Sequence, residues 1–346
     1  MRVAHINLAK GIRGGENQTL ALIKGLMSQT SDTHILVCRK GSDMEKRAEQ
    51  ENIPTIPLSK PFVFNAARLK DFDLLHVHEG RSTYLALAAN LFFKRPYLMT
   101  RRIPNRPHEK WITRMAYNHA ACIVSLSRKI DSVMQAFSKA SRFEVIPSIA
   151  RKLEADTDEV TNLRKRFEGK FVIGHIGALS DHHKNQSLII ETARLLQDHP
   201  DLVFLLLGSG KDEAILKGKA AGLTNVIFEG YKTNTADYYS LFDLFVYPSK
   251  EEGLGSAILE AFGFSLPVIA ADVDGIPDIV KDGETGLLID PTDIEGLRNA
   301  ILELYKNSDK RQTLAANGNA FTQHFTTDVI TKKYAALYAE ILKADR

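Results

Sequence analysis

Glu252 and Glu260 carry the most suggestive spacing in the chain. Seven residues separate them within Pro248-Ser249-Lys250-Glu251-Glu252-Gly253-Leu254-Gly255-Ser256-Ala257-Ile258-Leu259-Glu260-Ala261. A strand-like run, Leu244–Tyr247, leads into this segment and a helical pattern leads out of it. Gly253 and Gly255 permit a tight turn and a close approach of backbone to a ligand. A helix opening near Ser256 offers free N–H groups and a positive dipole end, which suit a diphosphate. Glu252 on the loop and Glu260 about one turn into the helix are placed to accept hydrogen bonds from paired hydroxyls, such as those of a ribose or hexose. Alone, Glu260 would read as a solvated helix residue. The following Ala261-Phe262-Gly263-Phe264 and Leu266-Pro267-Val268-Ile269-Ala270 instead make a buried helix feeding a parallel strand. A carboxylate in that setting needs a partner.

Other loops after strand-like runs hold further candidates. Gly177 and Lys184 lie in Gly174-His175-Ile176-Gly177-Ala178-Leu179-Ser180-Asp181-His182-His183-Lys184. Gly208-Ser209-Gly210 follows Val203–Leu207 and either cradles a phosphate or base or makes an ordinary turn. The third glycine and ribose-binding acid of a dinucleotide fingerprint are absent, which disfavours an oxidoreductase. Gly14-Gly15-Glu16-Asn17 opens a helix after the first strand. His76 and His78 share one face at the end of a strand. They could form a metal pair, a cleft residue or a structural strand end. Arg101 and Arg102 follow the run Tyr97–Thr100. Asp71-Phe72-Asp73 reads as the turn into a strand, and no metal is expected anywhere in the chain.

Stepping along the chain, apolar runs at Val3–Asn7, Ile35–Cys38, Leu74–Val77, Tyr97–Thr100, Cys122–Ser125 and Phe143–Ile146 alternate with helical patterns, such as Asn17–Ser28 and Pro107–Asn118. The alternation predicts crossover helices on a parallel sheet. A polar stretch from Arg151 to Lys170 interrupts it, and the pattern restarts at Val172–Ile176. The fold class is therefore α/β, with two Rossmann-like doubly wound domains. The expected boundaries are 1–165 and 166–325, with a terminal helix over 326–346 packing back towards the first domain. Ligands of such sheets sit beyond the carboxyl ends of the strands, so the site is expected in the cleft where the domains face each other.

The Glu252/Glu260 block resembles the signature of glycosyltransferase family 4, the retaining group 1 enzymes of the GT-B fold. Tyr247-Pro248-Ser249 before it also matches, as do Asp274-Gly275-Ile276-Pro277-Asp278 and Asp282-Gly283-Glu284-Thr285-Gly286 after it. The resemblance implies that Glu252 contacts donor-sugar hydroxyls and Glu260 the ribose. Gly177, Lys184, Gly208, Ser209, Gly210, Gly253, Leu254, Gly255 and Ser256 are expected at the donor nucleotide, with Gly15 approaching it from the first domain. Catalytic roles are expected for Glu252, Lys184, Arg102 and His78. Two positions depart from the family: Ala178 stands where an arginine faces the diphosphate, and Arg101-Arg102 stand near where many members have a histidine. Arg101 or Arg102 is expected to supply the missing charge. The activity implied is metal-independent, retaining hexosyl transfer from a nucleoside diphosphate sugar to a glycan or lipid-linked, lipopolysaccharide-like acceptor, with no cofactor. A non-hydrolysing sugar-nucleotide epimerase of the same fold and an inactive nucleotide-sugar-binding relic are the alternatives.

Composition agrees with a globular chain: 346 residues, 44% apolar and 25% charged. No run approaches the ~20 apolar residues of a membrane span, and Arg2-Val3-Ala4-His5-Ile6-Asn7 reads as a strand instead of a leader. Two cysteines, Cys38 and Cys122, suit free thiols in a reducing cytoplasm. Residues 1–150 carry 23 Lys/Arg against 12 Asp/Glu. Between Arg81 and Arg114 lie eight basic residues and one acid, with Trp111, Ile112 and Met115 interleaved. That segment is either a basic outer helix face or a peripheral contact with anionic membrane, on its inner face. Basic charge is all that favours nucleic acid, and none is expected as a partner.

Overall fold

A computed structural model of the chain describes residues 1–12 and 14–344. The first part runs β1 (Arg2–Asn7), α1 (Gly14–Gln29), β2 (Thr33–Arg39), α2 (Asp43–Gln50), β3 (Thr55–Leu58), β4 (Leu74–Val77), α3 (Ser82–Phe93), β5 (Tyr97–Arg101), α4 (Trp111–Asn118), β6 (Cys122–Ser125), α5 (Arg128–Phe137) and β7 (Phe143–Val145). A 3-10 helix, Phe62–Leu69, precedes β4. The second part runs α6 (Thr157–Arg166), β8 (Phe171–Ile176), α7 (Asp181–Lys184), α8 (Gln186–Leu195), β9 (Leu202–Leu207), α9 (Glu213–Lys219), β10 (Val226–Gly230), α10 (Thr235–Leu241), β11 (Leu244–Tyr247), α11 (Ser256–Gly263), β12 (Val268–Ala271), β13 (Leu287–Ile289), α12 (Ile294–Lys306) and α13 (Ser308–Phe321). The chain ends on α14 (Thr327–Ala344).

Two parallel sheets result. The first has seven strands in the order β3-β2-β1-β4-β5-β6-β7, the second six in the order β10-β9-β8-β11-β12-β13. Strand order reverses between β1 and β4 in one and between β8 and β11 in the other, so each sheet has its crevice there. Gly15, in the first turn of α1, and His78 follow β1 and β4. Lys184, the last residue of α7, and Glu252 follow β8 and β11.

The chain divides into a first unit, Met1–Ile149 with the segment from His324 onward, and a second unit, Ala150–Gln323. The division precedes the expected 165/166 boundary because the polar stretch contains α6, which belongs to the second unit. Asp156 caps α6, its own backbone N–H donates to Asp237 Oδ1 at 2.7 Å, and Arg166 pairs with Glu229 at 2.6 Å. At the other end, α14 packs on α1. Gly25 allows the approach, since a Cβ there would lie 2.4 Å from Thr331 Oγ1. Tyr334, Leu337, Tyr338 and Ile341 of α14 share a core with Val3, Leu22, Leu26 and Leu98.

Other details differ from the sequence patterns. β3 lies at the sheet edge with Pro57 opposite Cys38; a proline lacks the N–H of a strand and hides it from pattern reading. α4 starts at Trp111, not Pro107. Asp73 accepts the Arg2 N–H at 2.7 Å, so the Asp71-Phe72-Asp73 turn fastens β1 to β4. Both cysteines are free and buried, and burial pushes each thiol up to about 12.

Candidate functional site

In the second unit the loops after β8 and β11 lock together. The Lys250 N–H donates to His183 O at 2.8 Å, and Asn185 Nδ2 donates to Pro248 O at 3.1 Å. This brings Lys184 onto Glu252. Its ammonium bonds Glu252 Oε2 and donates to Tyr247 OH at 2.7 Å, while that hydroxyl donates to the same carboxylate oxygen at 2.7 Å. The ammonium also lies 4.9 Å from the Tyr247 ring centroid. Burial opposes charge on Lys184, but Tyr247 and Glu252 outweigh it and raise its pKa. Burial, and then Glu252, push the Tyr247 phenol up. Lys184 therefore stands as ammonium and Tyr247 as neutral phenol, with Glu252 Oε1 held by the Gly253 N–H at 3.2 Å.

Glu260 lies within α11 and is 8% exposed. Arg151 donates to its Oε1 from Nε at 2.9 Å and from a terminal nitrogen at 2.6 Å. Tyr239 OH donates to Oε2 at 3.2 Å. Its required partner thus comes from the residue just past the division between units. Glu252 and Glu260 stay on opposite sides of the helix start, each with its own cation.

The glycines have steric work between these groups. Gly255 has φ +91° ahead of Ser256 at the first turn of α11, and Gly253 and Leu254 beside it are buried. At Gly208, with φ +140°, a Cβ would lie 1.9 Å from Gly177 O; at Gly210 it would lie 2.3 Å from Leu179 O. The β9 loop therefore presses against the β8 loop, and Ser209 is left exposed with its carbonyl accepting the Leu179 N–H at 3.1 Å. Ala178 brings no charge there; its carbonyl accepts from Gln186 Nε2 at 2.8 Å.

In the first unit, Gly15 stands beside Arg102: a Cβ on it would meet Arg102 Cδ at 3.4 Å. Arg102 is half-buried, and its Nε is buried with no hydrogen-bond partner among the described residues. Burial lowers its pKa, against the opposing pull of Tyr334 and Glu16. His78 is buried, and its Nε2 lies 3.0 Å from His5 Nδ1. His76 has both nitrogens engaged, Nδ1 with Tyr338 OH at 2.6 Å and Nε2 with Thr100 Oγ1 at 2.7 Å. It fastens α14 to the sheet.

Two groups bring metal-ligating atoms within 4.8 Å of one another: His5, His76 and His78, which are buried, and His182, His183 and Glu251, at the surface. In the first, His5 and His76 spend both ring nitrogens on hydrogen bonds. In the second, His183 Nδ1 lies 3.1 Å from Glu251 Oε2.

Arg151, Tyr239, Tyr247, His5 and His34 escaped the sequence reading of the site. Tyr247 and His5 alone had a signal, as polar atoms within apolar strand runs. Arg151 sits in a polar stretch that no periodicity marks.

A family model described as "Glycosyl transferases group 1" matches residues 156–321, and one described as "Glycosyltransferase Family 4" matches residues 12–149. N-acetyl-alpha-D-glucosaminyl L-malate synthase of Bacillus anthracis is 24% identical over 54% of this chain and 51% of its own length. The lipopolysaccharide core biosynthesis mannosyltransferase LpsB of Rhizobium meliloti is 27% identical over 63% of this chain and 68% of its own. The chain spans about half the length of the first of these relatives. Among solved structures, Anabaena HepE in complex with UDP superposes with a TM-score of 0.87 at 20% identity, covering 98% of this chain and 100% of that one. The apo form of the lipopolysaccharide outer core galactosyltransferase WaaB gives 0.75 at 16% identity, over 98% and 100%.

Proposed function

Because the chain belongs to the group 1 glycosyltransferases of family 4 and has their GT-B fold, we propose that it transfers a hexose, with retention, from a nucleoside diphosphate sugar to a glycan or lipid-linked acceptor. The observation that carries this reading is the Lys184–Tyr247–Glu252 cluster ahead of the α11 N-terminus. Glu252, oriented by ammonium and phenol, would accept the hydroxyls of the donor sugar. Lys184 and the N–H groups near Ser256 would stabilise the departing diphosphate, each preorganised charge acting where negative charge develops. Glu260 would take the ribose, and Gly208 to Gly210 the nucleotide. Charge neutralisation by side chains and backbone makes a metal unnecessary in this scheme.

The first unit suggests what the acceptor brings. Tyr84, Leu87, Leu91, Phe92, Ile112 and Met115 line an apolar groove of about 510 Å³. Around it Phe92 is 76% and Trp111 75% exposed, among the basic residues of 81–114. No helix among the described residues is long and apolar enough to cross a membrane. A lipid-linked acceptor at an anionic membrane surface fits this mixture of apolar and basic groups. Flotation with anionic liposomes at low and high salt tests it; absence of binding at low salt rejects membrane contact.

The transfer reading is tested by thermal shift against nucleotides and nucleotide sugars, since a ligand of the folded state raises apparent stability by mass action. Turnover of the best donor is then followed with and without acceptors, and with a chelator. Transfer that persists with the chelator is the expected outcome. Donor conversion without any acceptor would mark an epimerase. Binding without turnover would mark a relic, the reading that Ala178 favours.

A further inference from the structure

Four side chains of the first unit form a hydrogen-bonded row from the end of α1 to the end of β4: Thr30, His34, His5 and His78. His34 Nε2 lies 3.3 Å from Thr30 Oγ1, His34 Nδ1 lies 3.1 Å from His5 Nε2, and His5 Nδ1 lies 3.0 Å from His78 Nε2. The three imidazoles are buried. Burial lowers the pKa of His5 and His78 well below the usual value and that of His34 to about 4, so all are neutral near pH 7. A neutral imidazole has one N–H, so each ring in the row donates on one side and accepts on the other.

Thr30 sets the direction. Its hydroxyl donates to Leu26 O at 2.8 Å and accepts the Asp32 N–H at 3.3 Å, which leaves Oγ1 an acceptor towards His34. His34 therefore carries its proton on Nε2 and accepts on Nδ1 from His5 Nε2–H. His5 accepts on Nδ1 from His78 Nε2–H. His78 is left with a bare Nδ1, which is buried and has no partner among the described residues. Nearby, Arg102 Nε is a buried donor in the same position of want. A hydroxyl, which donates, answers the bare imidazole nitrogen.

We propose that Thr30, His34 and His5 are positioning residues that lock His78 in its Nε2–H tautomer, making its Nδ1 the acceptor for a hydroxyl of the bound sugar. The identity of that ligand rests on the glycosyl-transfer reading; the tautomer does not.

The test uses the full chain labelled with 15N at histidine. Long-range imidazole correlation spectra of the ligand-free protein report which nitrogen carries the proton, and the His78 ring is assigned by its loss in His78→Gln. The wild type and Thr30→Ser, which keeps the hydroxyl, are expected to show His78 protonated on Nε2 alone. Thr30→Val, which removes the terminal acceptor, is expected to show a mixture of tautomers at His78. A wild-type proton on His78 Nδ1, or a Thr30→Val spectrum identical to wild type, overturns the proposal. With the donor identified by thermal shift, Thr30→Val should raise the donor KM by roughly three- to tenfold, the worth of one neutral hydrogen bond, with kcat little changed. An unchanged KM would overturn the hydroxyl contact. Because the spectra need no substrate, failure of the transfer reading would leave the tautomer result standing on its own.

Discussion

Arg151 places Nε and a terminal nitrogen on one oxygen of Glu260, at 2.9 and 2.6 Å, and leaves the other oxygen to Tyr239. The carboxylate is buried deep enough to need this cation, yet Arg151 keeps about a third of its side chain exposed. If Glu260 holds the ribose hydroxyls, Arg151 fixes the oxygen that does so. Arg151→Met is expected to weaken nucleotide binding by about tenfold, measured by calorimetry with the nucleotide that gives the largest thermal shift. Arg151→Lys should recover little of that, because one ammonium cannot reproduce two N–H bonds in a fixed plane.

Lys184→Met tests the cluster with Glu252. Loss of a preorganised cation at a leaving diphosphate is worth about 10² to 10³ in kcat. The substitution also strands a largely buried carboxylate, so thermal stability should fall too. The double variant Lys184→Met/Glu252→Gln should regain stability without regaining turnover. Full turnover in Lys184→Met would remove Lys184 from the mechanism.

The loop groups are legible because each follows an apolar run and sits beside glycines, so strand, turn and charged group appear together in the chain order. Lys184 and Glu252 are of this kind. Arg151 and Glu260 are 109 residues apart, and nothing local to either announces the other. The histidine row is invisible for a related reason. His5 faces His76 through the pairing of β1 with β4, and His34 arrives on β2, so three strands distant in sequence assemble one network. Strand periodicity placed His76 and His78 on a common face, but the hydrogen bonds that tie up His76 come from β5 and α14. The division between units falls before the expected boundary because α6, a short charged helix, has no apolar stripe long enough to mark it.

Arg102 offers a test that separates function from stability in a single residue. Its buried Nε has no hydrogen-bond partner among the described residues, so removing the guanidinium breaks no hydrogen bond at that atom. Under the proposal that it replaces the cation absent at Ala178, Arg102→Ala should lower kcat by about 10² or more while the melting temperature stays nearly constant. Unchanged turnover would reject that role.

Acid should unfold the chain early. His5, His34, His76, His78 and His175 are buried, and burial lowers the pKa of each in the folded state. Below the unfolded value near 6.5 the unfolded chain takes up protons that the folded chain refuses, so stability falls with pH until each folded pKa is passed. For His175, lowered to about 4, the loss between those limits is roughly 3 kcal/mol. Urea midpoints at pH 7.5, 6 and 5 should decline steeply, and His175→Gln should decline less steeply between pH 6 and 5. A flat profile would contradict burial of these rings in neutral form.

Gly208→Ala asks whether the β9 loop has any slack. The added Cβ would meet Gly177 O at 1.9 Å, and a backbone atom cannot swing aside as a side-chain end can. With φ at +140° the alanine would be strained even without that contact. One of the two loops must therefore move, and the Gly177 loop leads directly to Lys184. The variant is expected to lose several kcal/mol of stability, of the order seen when strain and overpacking combine, and to lose nucleotide-induced stabilisation with it. Ser209→Ala is the control: its side chain is exposed, so the melting temperature should hold, and any fall in nucleotide affinity would then report direct contact. A Gly208→Ala variant with wild-type stability would mean that the two loops are not packed as closely as the Gly177 and Gly208 backbones imply.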